Sequence, residues 1–135
     1  LCQRQAVIVV DAAVVVDLLT QAPGADQIGQ RLVGEDLHAP HLMDIEVVSA
    51  LRGLVLAGRI SESRAMDALT DHDDLPITRW GSTDRHRRAS LGLRDNVTAY
   101  DAAYLVLANE LECPLLTRDA RLGRGLSADV GVEVI

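Results

Sequence analysis

The sequence predicts an α/β fold with a mainly parallel central sheet flanked by helices. Two observations predict it. Short apolar stretches rich in β-branched residues alternate along the chain with longer stretches that have a helical pattern. In addition, the first apolar stretch, residues 7–10, contains no polar residue. A continuous β-branched run is typical of a strand that is covered on both faces, as in parallel sheets. Strands that alternate with helices favour parallel pairing, because each crossover uses a helix.

The elements of the first half follow from apolar runs and from the turns that separate them. The run Val7-Ile8-Val9-Val10 predicts the first strand, and helices are expected at 13–21 and 25–33 on either side of the turn Ala22-Pro23-Gly24. A short strand at 37–39 is closed by Pro40, which cannot donate to a strand ladder.

The longest predicted helix spans about 42–57 and ends near Gly58. Its apolar residues, stepped at the helical angle, surround nearly the whole circumference, which is typical of a buried helix. A glutamate inside such a helix has no obvious solvated side, although Asp44, Ser49 and Arg52 leave some room for one.

The second half continues the alternation of helices and strands. Ser61 is predicted to cap a helix that carries Glu62 in its first turn. The remaining predictions are a strand at 75–78, an Arg-rich helix at 83–93, a helix at 98–111, a strand at 115–117, a short helix at 120–124 and a strand at 132–135. With no linker or repeat among them, we expect residues 1–135 to form a single domain.

The composition limits the classes of function. Apolar residues make up 48% of the chain and aromatic residues only 2%, so we expect a core of aliphatic side chains and little stacking of bare bases on aromatic rings. The net charge of −7 and pI near 4.9 argue against a general nucleic-acid binder, which would be basic. The acidity fits a metal pocket or a basic protein partner better.

Positive charge is unevenly distributed. All 13 basic residues are Arg, and five of them fall in one window: Arg79, Arg85, Arg87, Arg88 and Arg94. Arg binds phosphate through a fork of donors, so this window could position a phosphate backbone. An ordinary solvated helix face explains it equally simply, and the two interpretations remain open.

We expect an intracellular protein without a membrane segment. Cys2 and Cys113 form neither a disulfide framework nor a zinc site, which favours a reducing, cytoplasmic location. No signal peptide is expected at the N-terminus, and the first apolar run is too short to cross a bilayer. The four histidines show no zinc-like spacing, so solvated or core roles are expected for them.

Four carboxylates occupy positions where charge is unexpected. Asp11 and Asp119 each follow a predicted strand, Glu46 lies inside the long apolar helix, and Asp101 is in the first turn of the helix at 98–111. Capping explains three of them individually: Asp11 and Asp119 could cap the helices that follow, and Thr98-Ala-Tyr-Asp101 resembles a capping box. Glu46 has no such explanation, since Arg52 is poorly spaced for an ion pair with it.

The four acids together predict a metal site. Strand ends and helix starts can converge in an α/β domain, where ligands gather at the carboxyl ends of strands. Clustered carboxylates repel one another unless a cation neutralises them. Mg²⁺ or Mn²⁺, which prefer oxygen ligands, would suit such a site and support hydrolysis of a phosphodiester. Thr117, two residues before Asp119, could orient a water there, although a plain strand-end hydroxyl is an equal alternative.

Four stretches of the chain resemble a known family. The stretches are Val9-Val-Asp11-Ala-Ala-Val-Val-Val-Asp17-Leu-Leu, Ala39-Pro-His-Leu-Met-Asp-Ile-Glu46-Val-Val-Ser-Ala-Leu51-Arg, Ala99-Tyr-Asp101-Ala-Ala-Tyr-Leu-Val-Leu-Ala108 and Leu115-Leu-Thr117-Arg-Asp119-Ala-Arg-Leu. In this order and spacing they resemble the PIN domain, and more closely the VapC-type ribonuclease toxins of VapBC toxin–antitoxin pairs. One departure is Ala13, where the family often has Ser.

The resemblance implies a fold, an activity and partners. It implies a PIN-like α/β/α sandwich and a Mg²⁺- or Mn²⁺-dependent endoribonuclease, with RNA as the substrate. Asp11, Glu46, Asp101 and Asp119 match the family's acidic quartet, and Thr117 matches a hydroxyl often found beside the last acid. It also implies a VapB-like antitoxin that blocks the site with a basic side chain, and a homodimer. In the expected mechanism the three aspartates hold the metal, while Glu46 holds metal or orients the attacking water.

Other functions fit the residues less well. A haloacid-dehalogenase-type phosphatase, which is another metal-dependent α/β enzyme, needs a second Asp where this chain has Ala13. A receiver domain needs a Lys, which the chain lacks, and a dinucleotide-binding fold needs a Gly-rich turn after the first strand. A catalytically inactive PIN-like interaction module remains an alternative, which metal-induced stabilisation would distinguish.

Overall fold

A parallel sheet forms the centre of the computed structural model, which describes residues 6–122 and 131–135. Within these residues the sheet has five strands in the order β3-β2-β1-β4-β5, and each neighbouring pair is parallel. The strands are β1 (Val7–Val10), β2 (Asp36–Pro40), β3 (Ile77–Trp80), β4 (Leu115–Thr117) and β5 (Val132–Val134). The predicted α/β class, with helices flanking a parallel sheet, is confirmed.

Among the described residues, helices connect the first four strands, and the predicted bounds of these helices lie within two residues of the observed ones. They are α1 (Ala12–Leu19), α2 (Ala25–Leu32), α3 (Leu42–Leu56), α4 (Glu62–Asp74), α5 (Asp84–Gly92) and α6 (Ala99–Glu110). The predicted cap of α4 is confirmed, because the Ser61 side chain accepts a hydrogen bond from the backbone N–H of Arg64 at 3.0 Å. Differences of one or two residues at helix ends are ordinary.

Two predicted elements need correction. The third strand begins at Ile77, which pairs with Leu37, rather than at Leu75, because Leu75 is the C-cap of α4 and Pro76 has no N–H for the ladder. The short helix predicted at 120–124 is a turn over Ala120–Leu122, and its remaining residues lie outside the described part of the chain, as does Cys2.

The core is aliphatic, as the composition predicts. The central strands β1 and β4 contribute fully buried side chains, among them Ile8, Val9, Leu115 and Leu116. Because these strands are covered on both faces, their sequences are continuously apolar rather than alternating. The sheet is therefore the rigid element that positions whatever follows its strand ends.

The prediction that α3 is buried on nearly all sides is wrong. Its fully buried side chains form a single stripe, Met43, Val47 and Leu51, and the helix contacts α1 and α4. Ile45 and Leu56 on other sides are 70% and 69% exposed. An apolar pattern does not distinguish a side chain in the core from one at the surface, so the sequence overestimated the burial of this helix.

The strand order defines one crevice at the carboxyl edge of the sheet. From the central strand β1, the chain continues to β2 on one side, and β4 lies on the other side. Where the connections from two neighbouring strands run to opposite sides of the sheet, a crevice forms at the carboxyl ends of those two strands. Ligands of α/β proteins bind in such a crevice. Here that crevice lies beside the ends of β1 and β4.

Candidate active site

Asp11 lies at the end of β1 and is held by two hydrogen bonds to its side chain. Its Oδ1 accepts from the backbone N–H of Val14 at 2.9 Å, and its Oδ2 accepts from the Thr117 hydroxyl. The strand register places these groups together, since Val10 pairs with Leu116 and the next residues along are Asp11 and Thr117. Asp11 therefore caps α1 and also faces β4, so the two sequence interpretations do not exclude each other.

Thr117 links two of the predicted acids. Its side chain is fully buried, its hydroxyl donates to Asp11, and its Oγ1 accepts from the backbone N–H of Asp119 at 3.0 Å. The Asp119 carboxylate accepts from the backbone N–H of Arg121 at 2.9 Å and pairs with the Arg121 guanidinium at 3.2 Å. The Thr117 hydroxyl thus orients the carboxylate of Asp11 and holds the backbone of Asp119 in place.

Glu46 is half-buried on α3 and is bound by a tyrosine from α6. The Tyr104 hydroxyl donates to Glu46 Oε1 at 2.7 Å, and Tyr104 itself is only 3% exposed. Burial and the charge of Glu46 raise the pKa of Tyr104, so this side chain remains a proton donor. Tyr104 was not among the residues singled out in the sequence, although its position three residues after Asp101 places both on neighbouring turns of one helix.

Asp101 lies in the first turn of α6. Thr98 caps this helix by accepting from the backbone N–H of Asp101 at 3.1 Å, which is one half of the predicted capping box. Asp101 and Asp119 line a common cavity of about 550 Å³. The structure thus brings two of the acids to one cavity and a third, Asp11, to the strand end beside them.

The electrostatics of the site are those of a carboxylate cluster. Burial raises the pKa of Asp11 above its ordinary value despite opposing hydrogen bonds, and the charge of Asp101 raises it further. Burial also raises the pKa of Glu46; the Tyr104 hydrogen bond opposes this effect, while the charges of Asp101 and Asp11 add to it. Asp11, Glu46 and Asp101 are therefore within electrostatic reach of one another.

The side chains of this site that could bind a metal ion are carboxylates, which offer oxygen ligands. Across residues 6–122 and 131–135, no three His, Cys, Asp or Glu side chains lie close enough to enclose an ion by themselves. A cation such as Mg²⁺ keeps several waters and is usually bound through one or two carboxylates, so the donor set suits a hydrated cation. Asp11, Glu46, Asp101 and Asp119 are the residues that could hold it.

The arginines of the sequence window have divided roles. Arg79 is on β3, where its guanidinium pairs with Asp44 at 3.0 Å. Arg85, Arg87 and Arg88 are exposed on α5, and Arg88 pairs with Asp84 one turn away. The arginines on α5 could therefore either contact a phosphate backbone or form an ordinary solvated helix face. Arg79, in contrast, has a structural partner.

Arg118 and Arg121, also considered for phosphate contacts, have partners too. Arg118 pairs with Asp17 at 2.9 Å and donates to the Ile135 carbonyl at 2.8 Å, so it joins α1 to the C-terminus. Arg121 pairs with Asp119, yet its side chain is 85% exposed at the mouth of the acidic cavity. Among these two, Arg121 is the better placed to meet a phosphate.

Comparison with known proteins identifies the family. The PIN domain family matches residues 8–125, which is most of the chain, and the chain therefore belongs to the PIN-domain family. Its relatives specify the branch. Ribonuclease VapC12 of Mycobacterium tuberculosis is 34% identical over 95% of this chain and 98% of the relative, and ribonuclease VapC1 of the same species is 44% identical over 84% and 86%. The predicted resemblance to the VapC-type branch is confirmed.

Solved structures show the same fold. PAE2754 from Pyrobaculum aerophilum covers 96% of this chain and 84% of its own with a TM-score of 0.68 and 23% identity. VapBC2 from Rickettsia felis, bound to a DNA fragment from its promoter, covers 95% and 98% with a TM-score of 0.70 and 11% identity. At such low identity these structures support the fold and no further detail. Within the described residues, no helix is long and apolar enough to cross a membrane.

Proposed function

We propose that this protein is a Mg²⁺- or Mn²⁺-dependent endoribonuclease and the toxin of a toxin–antitoxin pair. The observation that carries the proposal is that Asp11, Glu46 and Asp101 influence one another electrostatically, while Asp11 and Glu46 have no cationic partner among the described residues. Within the described residues, neither Asp11 nor Glu46 forms a salt bridge, and burial and neighbouring acids raise the pKa of both. A site that keeps unpaired carboxylates close together is adapted to bind a cation.

Each acidic residue has a distinct task in this proposal. Thr117 and the N-terminus of α1 hold Asp11, so its carboxylate has one orientation toward the crevice. Asp101 and Asp119 line the same cavity and would complete the ligand set. A divalent cation bound by them would activate water and neutralise the charge that develops on the phosphodiester. Glu46 accepts from Tyr104 on Oε1, which leaves Oε2 as the oxygen that would orient the attacking water.

The partners follow from the relatives and their assemblies. Relatives of this chain are named ribonucleases, and a toxin–antitoxin complex from Klebsiella pneumoniae shares its fold with a TM-score of 0.64. We extend this to an RNA substrate and a VapB-like antitoxin that places a basic side chain among the acids. A homodimer in the cytoplasm completes the proposal. Among the described residues, the cavity that Asp101 and Asp119 share also contains Asp95, so its three carboxylates outnumber the guanidiniums of Arg94 and Arg121 and could accept a cationic side chain from such a partner.

Cleavage of total bacterial RNA tests the proposed function. Purified, antitoxin-free protein is incubated with this RNA and Mg²⁺ or Mn²⁺, beside Asp11→Asn and EDTA controls, and the new ends are mapped by sequencing. We expect discrete cuts that disappear in both controls. A folded protein that binds Mn²⁺ but makes no cuts in any RNA pool would favour the non-catalytic interaction module instead.

A further inference from the structure

A second cavity lies next to the acidic one and differs from it in chemistry. It has a volume of about 640 Å³ and lies between the first turn of α3, the end of β3, α5 and α6. Apolar side chains such as Leu42, Leu91 and Leu107 form much of its lining, together with Trp80. A pocket of this size and polarity is typical of a site for a small organic group.

The charge of this second cavity is opposite to that of the chain. Among the described residues its lining includes Arg87, Arg94, His41 and His86 but no Asp or Glu, although the protein carries a net charge of −7. His86 is paired with Glu110, which is not among the residues described in the lining. Within the described residues Arg87 and Arg94 form no salt bridge, so their charges are available to an anion.

The two cavities are adjacent. Arg94, Val97 and Thr98 line both of them, so the wall that separates the apolar cavity from the acidic one is shared. The acidic cavity contains Asp101 and Asp119. A chain that occupies both cavities would therefore pass Arg94, which lines both of them.

Trp80 provides a fixed aromatic surface in the apolar cavity. Its Nε1–H donates to His38 Nδ1 at 2.9 Å, which holds the indole ring in place, while the side chain remains 38% exposed. An aromatic ring that is fixed before binding loses little entropy when a base stacks on it, and such stacking is sequence-tolerant. The sequence, with its few aromatics, had argued against stacking, but one tryptophan lies where stacking is useful.

From these observations we infer that the second cavity is a nucleobase subsite for the RNA strand under cleavage. A base adjacent to the scissile phosphodiester stacks on Trp80, and Arg94 contacts the phosphate that joins this nucleotide to the acidic cavity. The base must be unstacked to enter, so the subsite selects single-stranded RNA. The inference rests on the proposed ribonuclease function and adds a substrate-positioning surface to it.

Fluorescence of Trp80 tests the subsite directly, because the chain has one tryptophan. Single-stranded homopolymeric RNA decamers are titrated into an Asp101→Asn protein, beside an abasic sugar–phosphate oligomer of the same length. We expect base-containing RNA to quench the emission saturably and the abasic oligomer to leave it unchanged. In parallel binding measurements with a dye-labelled decamer, Trp80→Leu should weaken affinity about tenfold, because base stacking on an aromatic ring has an effect of this size.

A matched pair of arginine substitutions tests the junction. Arg94→Gln should weaken binding and reduce the slope of log affinity against log salt by about 0.7, the value for one phosphate contact on a single strand. Arg59→Gln, which makes the same change of charge beyond the far end of α3, should leave both quantities unchanged. Equal effects of the two substitutions would indicate a general charge effect and overturn the assignment of Arg94.

The outcomes separate this inference from the proposed function. If Asp101→Asn stops cleavage but RNA does not quench Trp80, the subsite is wrong and the ribonuclease function stands. If RNA quenches Trp80 but Asp101→Asn cuts RNA like the wild type, the subsite stands and the acidic mechanism is wrong. A Trp80 emission that shifts with protein concentration alone would show that a second copy of the chain covers the cavity, and this would overturn the inference.

Discussion

Two carboxylates on α3, two residues apart, have opposite electrostatic environments. Asp44 accepts hydrogen bonds from the Arg79 guanidinium at 3.0 Å and from His72 Nε2 at 2.8 Å. Burial alone would raise the pKa of Asp44, but these hydrogen bonds and charges outweigh it and lower the pKa below the ordinary value. Glu46 has Tyr104 as its partner and other acids nearby, and its pKa is raised.

The contrast distinguishes a structural acid from a functional one. Asp44 is neutralised within the fold, where it joins α3 to α4 and β3, so it needs nothing from outside. Glu46 and Asp11 are kept without a cationic partner among the described residues, which costs stability unless a cation binds. Stability is lowered in order to create a binding site, and this is typical of functional positions.

The largest effect is expected for removal of a charge from the acidic cluster. Asp11→Asn keeps the size of the side chain but weakens cation binding, and stabilisation by a metal ion contributes several kcal/mol to such reactions. We therefore expect RNA cleavage to fall by about a hundredfold or more, measured as the initial rate with saturating Mn²⁺. Cleavage within a few-fold of the wild type would remove Asp11 from the mechanism.

An intermediate effect is expected for the hydroxyl that orients Asp11. Thr117→Val preserves shape but removes the donor to Asp11 and the acceptor for the Asp119 backbone N–H. The Mn²⁺ concentration for half-maximal cleavage should rise about tenfold, as is usual when a hydrogen-bond partner of a metal ligand is lost. Thr117→Ser, which retains the hydroxyl, is the matched control, and it should stay near the wild-type value. An unchanged metal requirement in Thr117→Val would contradict an orienting role.

A smaller effect, on stability alone, is expected for the structural acid. Asp44→Asn removes the charge that Arg79 and His72 bind, and loss of such a partly exposed charged hydrogen bond costs about 1 kcal/mol. The lowered pKa of Asp44 contributes stability above its ordinary value of 3.8, and this contribution is lost as the pH falls through the folded-state pKa. The difference between variant and wild type in urea unfolding should therefore be complete at neutral pH and shrink below pH 3.8.

The smallest expected effect is a gain in folding stability, on substitution of Glu46. A raised pKa means that ionisation of Glu46 opposes folding once the pH rises above its ordinary value of 4.5. Glu46→Gln keeps an oxygen for the Tyr104 hydroxyl and removes this penalty, so in EDTA at neutral pH it should be slightly more stable than the wild type. The gain should vanish below pH 4.5, and Mn²⁺ should stabilise the wild type more than the variant. Destabilisation by Glu46→Gln in EDTA would mean that the glutamate is a structural acid like Asp44.

Local sequence signals were sufficient for much of the fold. The continuous β-branched run of β1 predicted a central strand, and the position of Asp11 at its end followed directly. Ser61 and Thr98 were recognisable as caps, because capping depends on a side chain and backbone three residues apart. The start of β3 was misplaced because Leu75 is the C-cap of α4 and Pro76 has no N–H for the strand ladder.

Contacts between distant residues were not accessible from the sequence. Tyr104 and Glu46 are 58 residues apart in the chain, and Trp80 and His38 are separated by 42. The same limitation explains α3, because its apolar pattern could not show which side packs against α1. The acids could be selected from their unexpected positions, but the difference between Asp44 and Glu46 depends on which elements the fold places beside each.

The most direct test of the account compares Asp44→Asn and Glu46→Gln in one cleavage experiment. Both proteins are adjusted to equal folded concentration by circular dichroism and incubated with total bacterial RNA and Mn²⁺, and discrete cuts are counted by sequencing of the new ends. We expect wild-type cuts for Asp44→Asn and a loss of cuts for Glu46→Gln. Equal activity of the two variants, or loss in Asp44→Asn alone, would contradict the claim that the uncompensated acids form the catalytic site.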